Sequence, residues 1–408
     1  MRPEPTPTHP EPAPTHPAPA SAPAAVARRP LVVGYYGMEN VGDNAFCVVM
    51  DWATRVYWGA EEPVFAAPPM VDLPPERTGM DPRWYRSRGT ADRAGWVLNK
   101  AALLRRSTML VFGGGSVFRE MGPLSEKKVF SLFTGVSGHP MAAVGVSVGP
   151  FVSAASERRL LRVLRRVAFI GVRDIASAEV LERAGYPGVL VPAGDLAGLL
   201  PEALGEPVPP RRPRPTGRAR LGVTLLGVDH EAADADLRRR EDTLVEGVRA
   251  LVRAEPVDVT VFVFNTHPLH GDERVGERLR AAVAGHCDVR VVTARDGVRA
   301  CWDEMKRCDL GLHMRLHGAV FAYLAGVPFT LVPYQQKCDD FLDEIGQPPA
   351  LRTPRMPGDA AAVTRTLTGL LTTQDVPELP RAIYAERARR NFTAAPWART
   401  PGPGPSGR

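Results

Sequence analysis

Three ionisable side chains, His313, Arg315 and His317, stand within one five-residue stretch of the run Asp309–Pro333. The run reads as a short apolar strand from Leu310 to His313, a turn, a helix opening on Arg315-Leu316-His317-Gly318, and a second apolar strand after Gly326 and Pro328. A strand-turn-helix-strand unit of this kind belongs to a parallel sheet, with its turn at the carboxyl edge where ligands bind. The unpaired N–H groups and dipole of a helix start attract anions, and the planar fork of Arg315 suits carboxylate or phosphate. The expected chemistry is capture of a small, heavily charged anion, with His317 moving a proton. The helix start and Arg315 both depress an imidazole pKa, whereas a bound dianion raises it, so an acid at this place is armed by its own substrate. A simpler account gives His313 a buried, hydrogen-bonded place at the strand end and pairs Arg315 with a neighbouring carboxylate.

Other groups fall at equivalent strand ends. Lys337 follows the next strand and serves as a second anion contact or as a solvated residue in a first helical turn. Arg173-Asp174 closes an apolar strand; an arginine there could face Arg315 across a cleft, and two arginines suit a ligand with two anionic groups. A salt bridge or a helix cap is the alternative. Gly37, Asn40 and Asp43 lie in the loop after the first strand, and Gly114, Gly115 and Ser116 after the third, where glycine permits close backbone approach to a ligand. Turn formation and helix capping, with Asp43 as a cap, account for the same residues. Neither glycine cluster has dinucleotide or Walker spacing. His267 and His270 are weaker candidates for the same edge, and Cys338 has no basic partner by spacing, which makes it a packing residue.

Strands and helices must alternate to bring these ends together, and they do. Strands are predicted at 31–36, 63–67, 108–112, 141–147, 167–173 and 188–191. After a Pro/Arg-rich linker they resume at 221–226, 257–264 and 289–292, followed by the opening unit. The expected fold is α/β, with two Rossmann-like domains facing each other across a cleft. Its parts are a disordered Pro-rich tail (1–30), an N-terminal domain (31–200), the linker (201–218), a C-terminal domain (219–375), a final helix (376–395) and a disordered end (396–408).

Composition bounds the function. The formal charge of +6 on 408 residues comes largely from short basic runs with no interleaved aromatics, which fit solvated linker and helix surface better than a nucleic-acid stripe. Five scattered cysteines suggest neither a disulfide framework nor a structural metal and fit a reducing cytoplasm. The tail has no apolar stretch of a signal peptide, and no segment has the length and apolarity of a membrane span, so any membrane contact would be peripheral. Trp84, Tyr85, Arg86 and Arg88 form an aromatic and basic excursion that reads as a mobile loop with no ligand, with a place along the cleft as the alternative.

From about Leu31 to Gly346 the chain resembles the polysaccharide pyruvyl transferase family. The resemblance rests on an ordered set: Gly34-Tyr35-Tyr36-Gly37 with Asn40-Val41-Gly42-Asp43, Gly113-Gly114-Gly115-Ser116, Gly145-Val146-Ser147-Val148-Gly149-Pro150, Val172-Arg173-Asp174, and Arg315-Leu316-His317-Gly318 with Gly326-Val327-Pro328. It implies a fold similar to the GT-B glycosyltransferases. It also implies transfer of a pyruvyl group from phosphoenolpyruvate to two hydroxyls of a sugar or glycoconjugate, forming a ketal and releasing phosphate, with no cofactor or metal. Arg173 and Arg315 match the family's donor-binding positions and His317 its acid. His313 stands where a small hydroxyl residue is usual, and Gln335-Gln336 replaces an acidic residue often found before the equivalent of Lys337. A nucleotide-sugar glycosyltransferase and a non-catalytic relative are the competing expectations. The sequence leaves the acceptor and the oligomeric state open.

Overall fold

The computed structural model describes residues 28–81, 90–122, 125–210, 217–227, 235–267, 271–373 and 375–399. Most of the two tails, the Trp84–Arg88 excursion, His270 and the middle of the linker lie outside the described residues. Two all-parallel sheets carry the architecture. The first has six strands in the order β2-β1-β3-β4-β5-β6, and the second five in the order β11-β10-β7-β8-β9. Their ranges are β1 Pro30–Val33, β2 Val64–Phe65, β3 Met109–Phe118, β4 Met141–Val148, β5 Phe169–Val172, β6 Val189–Pro192, β7 Ala219–Thr224, β8 Val257–Val263, β9 Val289–Thr293, β10 Leu310–His313 and β11 Phe329–Leu331. The central strands are continuous apolar runs because helices cover both sheet faces, and every predicted strand is present.

β3 runs further than its apolar run predicts. It continues through Gly113-Gly114-Gly115-Ser116 to Phe118, and its register with β4 shifts between Gly115 and Phe118. Gly114 and Gly115 have φ of +74° and +80°, so the glycines bend a strand instead of ending one.

The helix after β1, α1, spans Val41–Trp58. Its cap is Asn40, whose side chain accepts from Gly42 N at 3.0 Å, and not Asp43, which lies inside the first turn with its carboxylate released from capping. Next come α2 (Thr90–Arg105), α3 (Glu126–Ser137), α4 (Ala154–Leu164), α5 (Ile175–Arg183) and the one-turn α6 (Leu200–Ala203). α3 and α4 complete the alternation where the sequence reading assigned only strands, and each starts on a serine cap, Ser125 or Ser153. The second half adds α7 (Ala235–Ala254), α8 (Glu273–Val283), α9 (Gly297–Met305), α10 (Leu316–Ala325), α11 (Gln336–Glu344) and α12 (Ala360–Thr372).

The last helix, α13 (Arg381–Thr393), returns to the first half. It packs beside β4, β5 and β6, where Asn391 accepts from Gly145 N at 2.7 Å and donates to Gly194 O at 2.9 Å. The halves also meet directly. Val41 N donates to Phe264 O at 2.9 Å, Thr266 N to Glu39 O at 3.0 Å, and Val298 N at the start of α9 to Asp72 Oδ1 at 2.6 Å. One hydrophobic cluster runs through this seam, joining Phe46 and Met50 of α1 to Trp302 of α9, Phe321 of α10 and Tyr384 of α13.

Candidate active site

The carboxyl edges of both sheets open on one cavity of about 610 Å³. Asn40 and Asp43 reach it from the start of α1, Gly115 and Ser116 from the bend in β3, and Arg173 from the end of β5. The other wall holds Arg315, Leu316 and His317 at the start of α10, with Tyr334 and Lys337 before and inside the first turn of α11. The starts of α1, α10 and α11 therefore face it, with the first turn of α3 beside them, and their dipoles favour an anion.

Both arginines are held by carboxylates. Arg173 Nη1 lies 3.0 Å from Asp195 Oδ2, while its Nε donates to Ser147 Oγ at 2.7 Å and its Nη2 to Ser116 Oγ at 3.0 Å. Arg315 Nε donates to Asp272 Oδ2 at 2.8 Å and its Nη2 to the other oxygen of the same carboxylate. A fork fixed on one side presents its remaining edge in a single orientation. Lys337 makes no ion pair among the described residues, and its Nζ sits 5.1 Å from the centre of the Tyr334 ring.

His317 crosses the seam. Its ring meets Phe46 of α1 edge-on, with centroids 5.0 Å apart, and lies against Gly42 so closely that a Cβ there would come within 1.9 Å of Nδ1. Only glycine fits. His317 Nε2 is 4.0 Å from Asp195 Oδ1 and has no hydrogen-bond partner. Burial lowers its pKa to about 4, with Arg173, Lys337 and Arg315 adding to the shift and Asp195 opposing it. Asp43 goes the other way: burial raises its carboxyl to about 7 against the pull of Lys337, Arg173 and Arg315. The cavity thus holds a neutral imidazole and a carboxyl that protonates near neutrality.

Three sequence candidates lie off the cavity wall. Gly37, with φ +73°, packs against Pro68, and Gly114 backs onto the Phe46 ring. His313 is fully buried at the end of β10, its Nδ1 3.1 Å from Thr224 Oγ1, and burial pushes its pKa down to about 3. It occupies the simpler, packed place. Tyr36 is also buried, donating to Gly113 O, whereas Tyr35 faces the cavity. Cys338 is buried with its thiol pKa raised, chiefly by that burial.

Asp195 and Asp272 were not singled out from the sequence as site residues. Asp195 follows β6 in a Gly-Asp turn, a visible signal; Asp272 follows β8 in a loop without a motif, and only the tertiary structure brings it to Arg315.

The sequence model of the polysaccharide pyruvyl transferase family matches residues 75–336. The chain belongs to the polysaccharide pyruvyl transferase family. It is accordingly a transferase, and its family works on polysaccharide. The matched span takes in Ser116, Arg173, Arg315 and His317, starts after the Gly34–Asp43 segment and stops one residue before Lys337. No curated protein sequence matches the chain. Among solved structures it is similar to UDP-GlcNAc 2-epimerase from Methanocaldococcus jannaschii, with TM-score 0.58 and 12% identity over 90% of this chain and 99% of that one. It is also similar to the UDP-GlcNAc 2-epimerase from Neisseria meningitidis bound to UDP-GlcNAc, with TM-score 0.51 and 10% identity over 90% and 97% of the two chains. At such identity the likeness is one of fold, and it places this family member among GT-B-like two-sheet proteins. Among the described residues no helix is long and apolar enough to cross a membrane.

Proposed function

We propose that this family member transfers the pyruvyl group of phosphoenolpyruvate to two hydroxyls of a sugar or glycoconjugate, forming a cyclic ketal and releasing phosphate. The observation that carries the reading is the convergence of Arg173, Arg315, Lys337 and His317 on one cavity ringed by helix starts. Phosphoenolpyruvate presents a carboxylate and a phosphate on a three-carbon frame, and two oriented arginines with a lysine match that charge distribution.

In the scheme, His317 takes up a proton as the donor binds and passes it to the methylene carbon, leaving positive charge at C2 that the neighbouring carboxylate and enol oxygen share. One acceptor hydroxyl oxygen bonds to C2 and gives its proton to His317, left neutral by the first step. The second hydroxyl oxygen then displaces the C2–O bond of the phosphate, and phosphate departs carrying the balancing proton. Arg173 and Arg315 bind the anionic groups, and Lys337 stabilises the leaving phosphate. Every charge is met by a side chain, so the scheme calls for no metal or cofactor. We place the reaction in the cytoplasm, where free thiols such as the five cysteines persist.

Incubation with phosphoenolpyruvate and a panel of sugar acceptors tests the reading. Phosphate release with a product heavier by one pyruvate ketal is expected. If calorimetry shows no binding of phosphoenolpyruvate while a nucleotide sugar is retained, a glycosyltransferase replaces it.

A further inference from the structure

The helices α2, α3 and α4 are neighbours in one layer over the first sheet, and their outer side differs from the rest of the molecule. Across residues 94–106, 125–137 and 154–166 there are ten basic and two acidic residues, a surplus of eight on a chain whose formal charge is +6. Both acids are partly buried, and Glu126 is engaged by Lys100 Nζ at 2.7 Å. The exposed charges are Arg105 and Arg106 at the end of α2, Lys128 on α3, Arg158 and Arg162 along α4, and Arg165 at its end. Arg165 and its neighbour Arg166 donate to the carbonyls of Ala184 at 2.9 Å and Ser131 at 3.1 Å, contacts that leave their charge uncompensated. In the second half, by contrast, exposed arginines such as Arg278, Arg280 and Arg295 are paired with carboxylates.

The same layer exposes aliphatic side chains. Leu132 and Val136 on α3 are 65% and 85% exposed, and Leu98 on α2 is 68% exposed. Val129, Leu132 and Val136 recur at helical spacing on the outside of α3, while Phe130 and Thr134 face inward. An open groove of about 570 Å³ sets Leu132 and Val136 beside Arg166.

We propose that the outer face of α2, α3 and α4 docks on an anionic lipid bilayer. Aliphatic side chains amid unpaired basic ones suit a surface with negative headgroups over acyl chains. A nucleic acid would call for exposed aromatics to stack on, and the exposed large apolar side chains described on these helices are all aliphatic. A second copy of the same face would set like charges against each other. The first turn of α3, Glu126 and Lys127, also lines the catalytic cavity. Docking on this face holds the enzyme at a membrane surface, which, resting on the pyruvyl transfer reading, assigns the acceptor to lipid-linked glycans.

Co-sedimentation of the full chain with vesicles tests the docking without any substrate. Binding to phosphatidylglycerol-containing vesicles is expected, at least about tenfold tighter than to phosphatidylcholine alone and weakening as salt is raised. Arg162→Glu with Arg165→Glu, and separately Leu132→Glu with Val136→Glu, should each lose about tenfold or more in binding while phosphate release with a soluble acceptor is unchanged. Equal binding to neutral vesicles, no binding to anionic ones, or full binding by either double variant would overturn the proposal. So would a wild-type dimer that Leu132→Glu converts to a monomer, which would give the face to a second copy. Failure of pyruvyl transfer would leave the vesicle result standing and remove only the lipid-linked acceptor.

Discussion

His317 and Asp43 share a cavity but are pushed in opposite directions, to about 4 and about 7, so near neutrality the empty site has an uncharged imidazole beside a carboxyl that is only partly ionised. A trianionic donor raises both pKa values, and both groups bind protons as it enters. Calorimetry of phosphoenolpyruvate at pH 7.5 in buffers of different ionisation enthalpy should therefore show net proton uptake, and KM for the donor should rise as pH is raised towards 9. His317→Gln keeps a hydrogen-bonding side chain but cannot carry that proton; turnover should fall about 10²- to 10⁴-fold and part of the uptake should vanish. An unchanged uptake in that variant would remove His317 as the proton carrier. The imidazole also depends on what it lies against. Gly42→Ala puts a methyl 1.9 Å from Nδ1 in the present arrangement, so the ring must swing away. Displacements of about 1 Å can cost roughly 10²-fold in rate. Loss of turnover on that scale, with a thermal midpoint close to that of the parent, is the expected result.

At the scale of elements, the final helix does more than close the chain. Asn391 on α13 takes the N–H of Gly145 in β4 and gives hydrogen bonds to the carbonyls of Gly194 and Ala388. Gly194 precedes Asp195, the carboxylate that holds Arg173, so a helix near the C-terminus supports a site arginine in the first half. Asn391→Leu fills the space but leaves a buried backbone donor without a partner, which costs about 1–3 kcal/mol. Urea titration should show that loss as a lower midpoint with an unchanged slope, and KM for the donor should rise as the Asp195 turn loosens. The parallel strands were legible in sequence because each is a buried apolar run between turn residues. α3 and α4 were not assigned, although Ser125 and Ser153 mark their starts. In the site, Arg173, Arg315 and His317 were legible because a strand end and a helix start fix where such residues go. The carboxylates that orient the arginines were not: Arg315 and Asp272 are 43 positions apart, and no local pattern encodes that meeting. For His313, its neighbours Arg315 and His317 argued for a site role, whereas burial and the Thr224 contact place it in the core.

On the scale of the whole molecule, two sheets do not make two independent folding units. The cluster that holds Phe46 and Met50 against Trp302 and Phe321 is continuous through the seam, and the chain returns to cover Trp58 and Phe169 with Phe392 of α13 and Trp397 just beyond it. Trp58 Nε1 donates to Phe392 O at 3.0 Å, which links residues 334 positions apart. Removing the chain after residue 200 would expose Phe46, Trp58 and Phe169 to water together, and each buried aromatic contributes on the order of 2 kcal/mol or more by burial. The stability of the first half is therefore supplied in part from the far end of the sequence. Guanidinium unfolding of the full chain should give coincident transitions by tryptophan fluorescence and far-ultraviolet circular dichroism. A 28–200 fragment should show no cooperative transition, whereas the same fragment fused by a flexible linker to residues 376–399 should regain one. Two separated transitions in the full chain, or a cooperative 28–200 fragment, would show that each sheet folds alone and that the cavity between them is free to open by rigid motion.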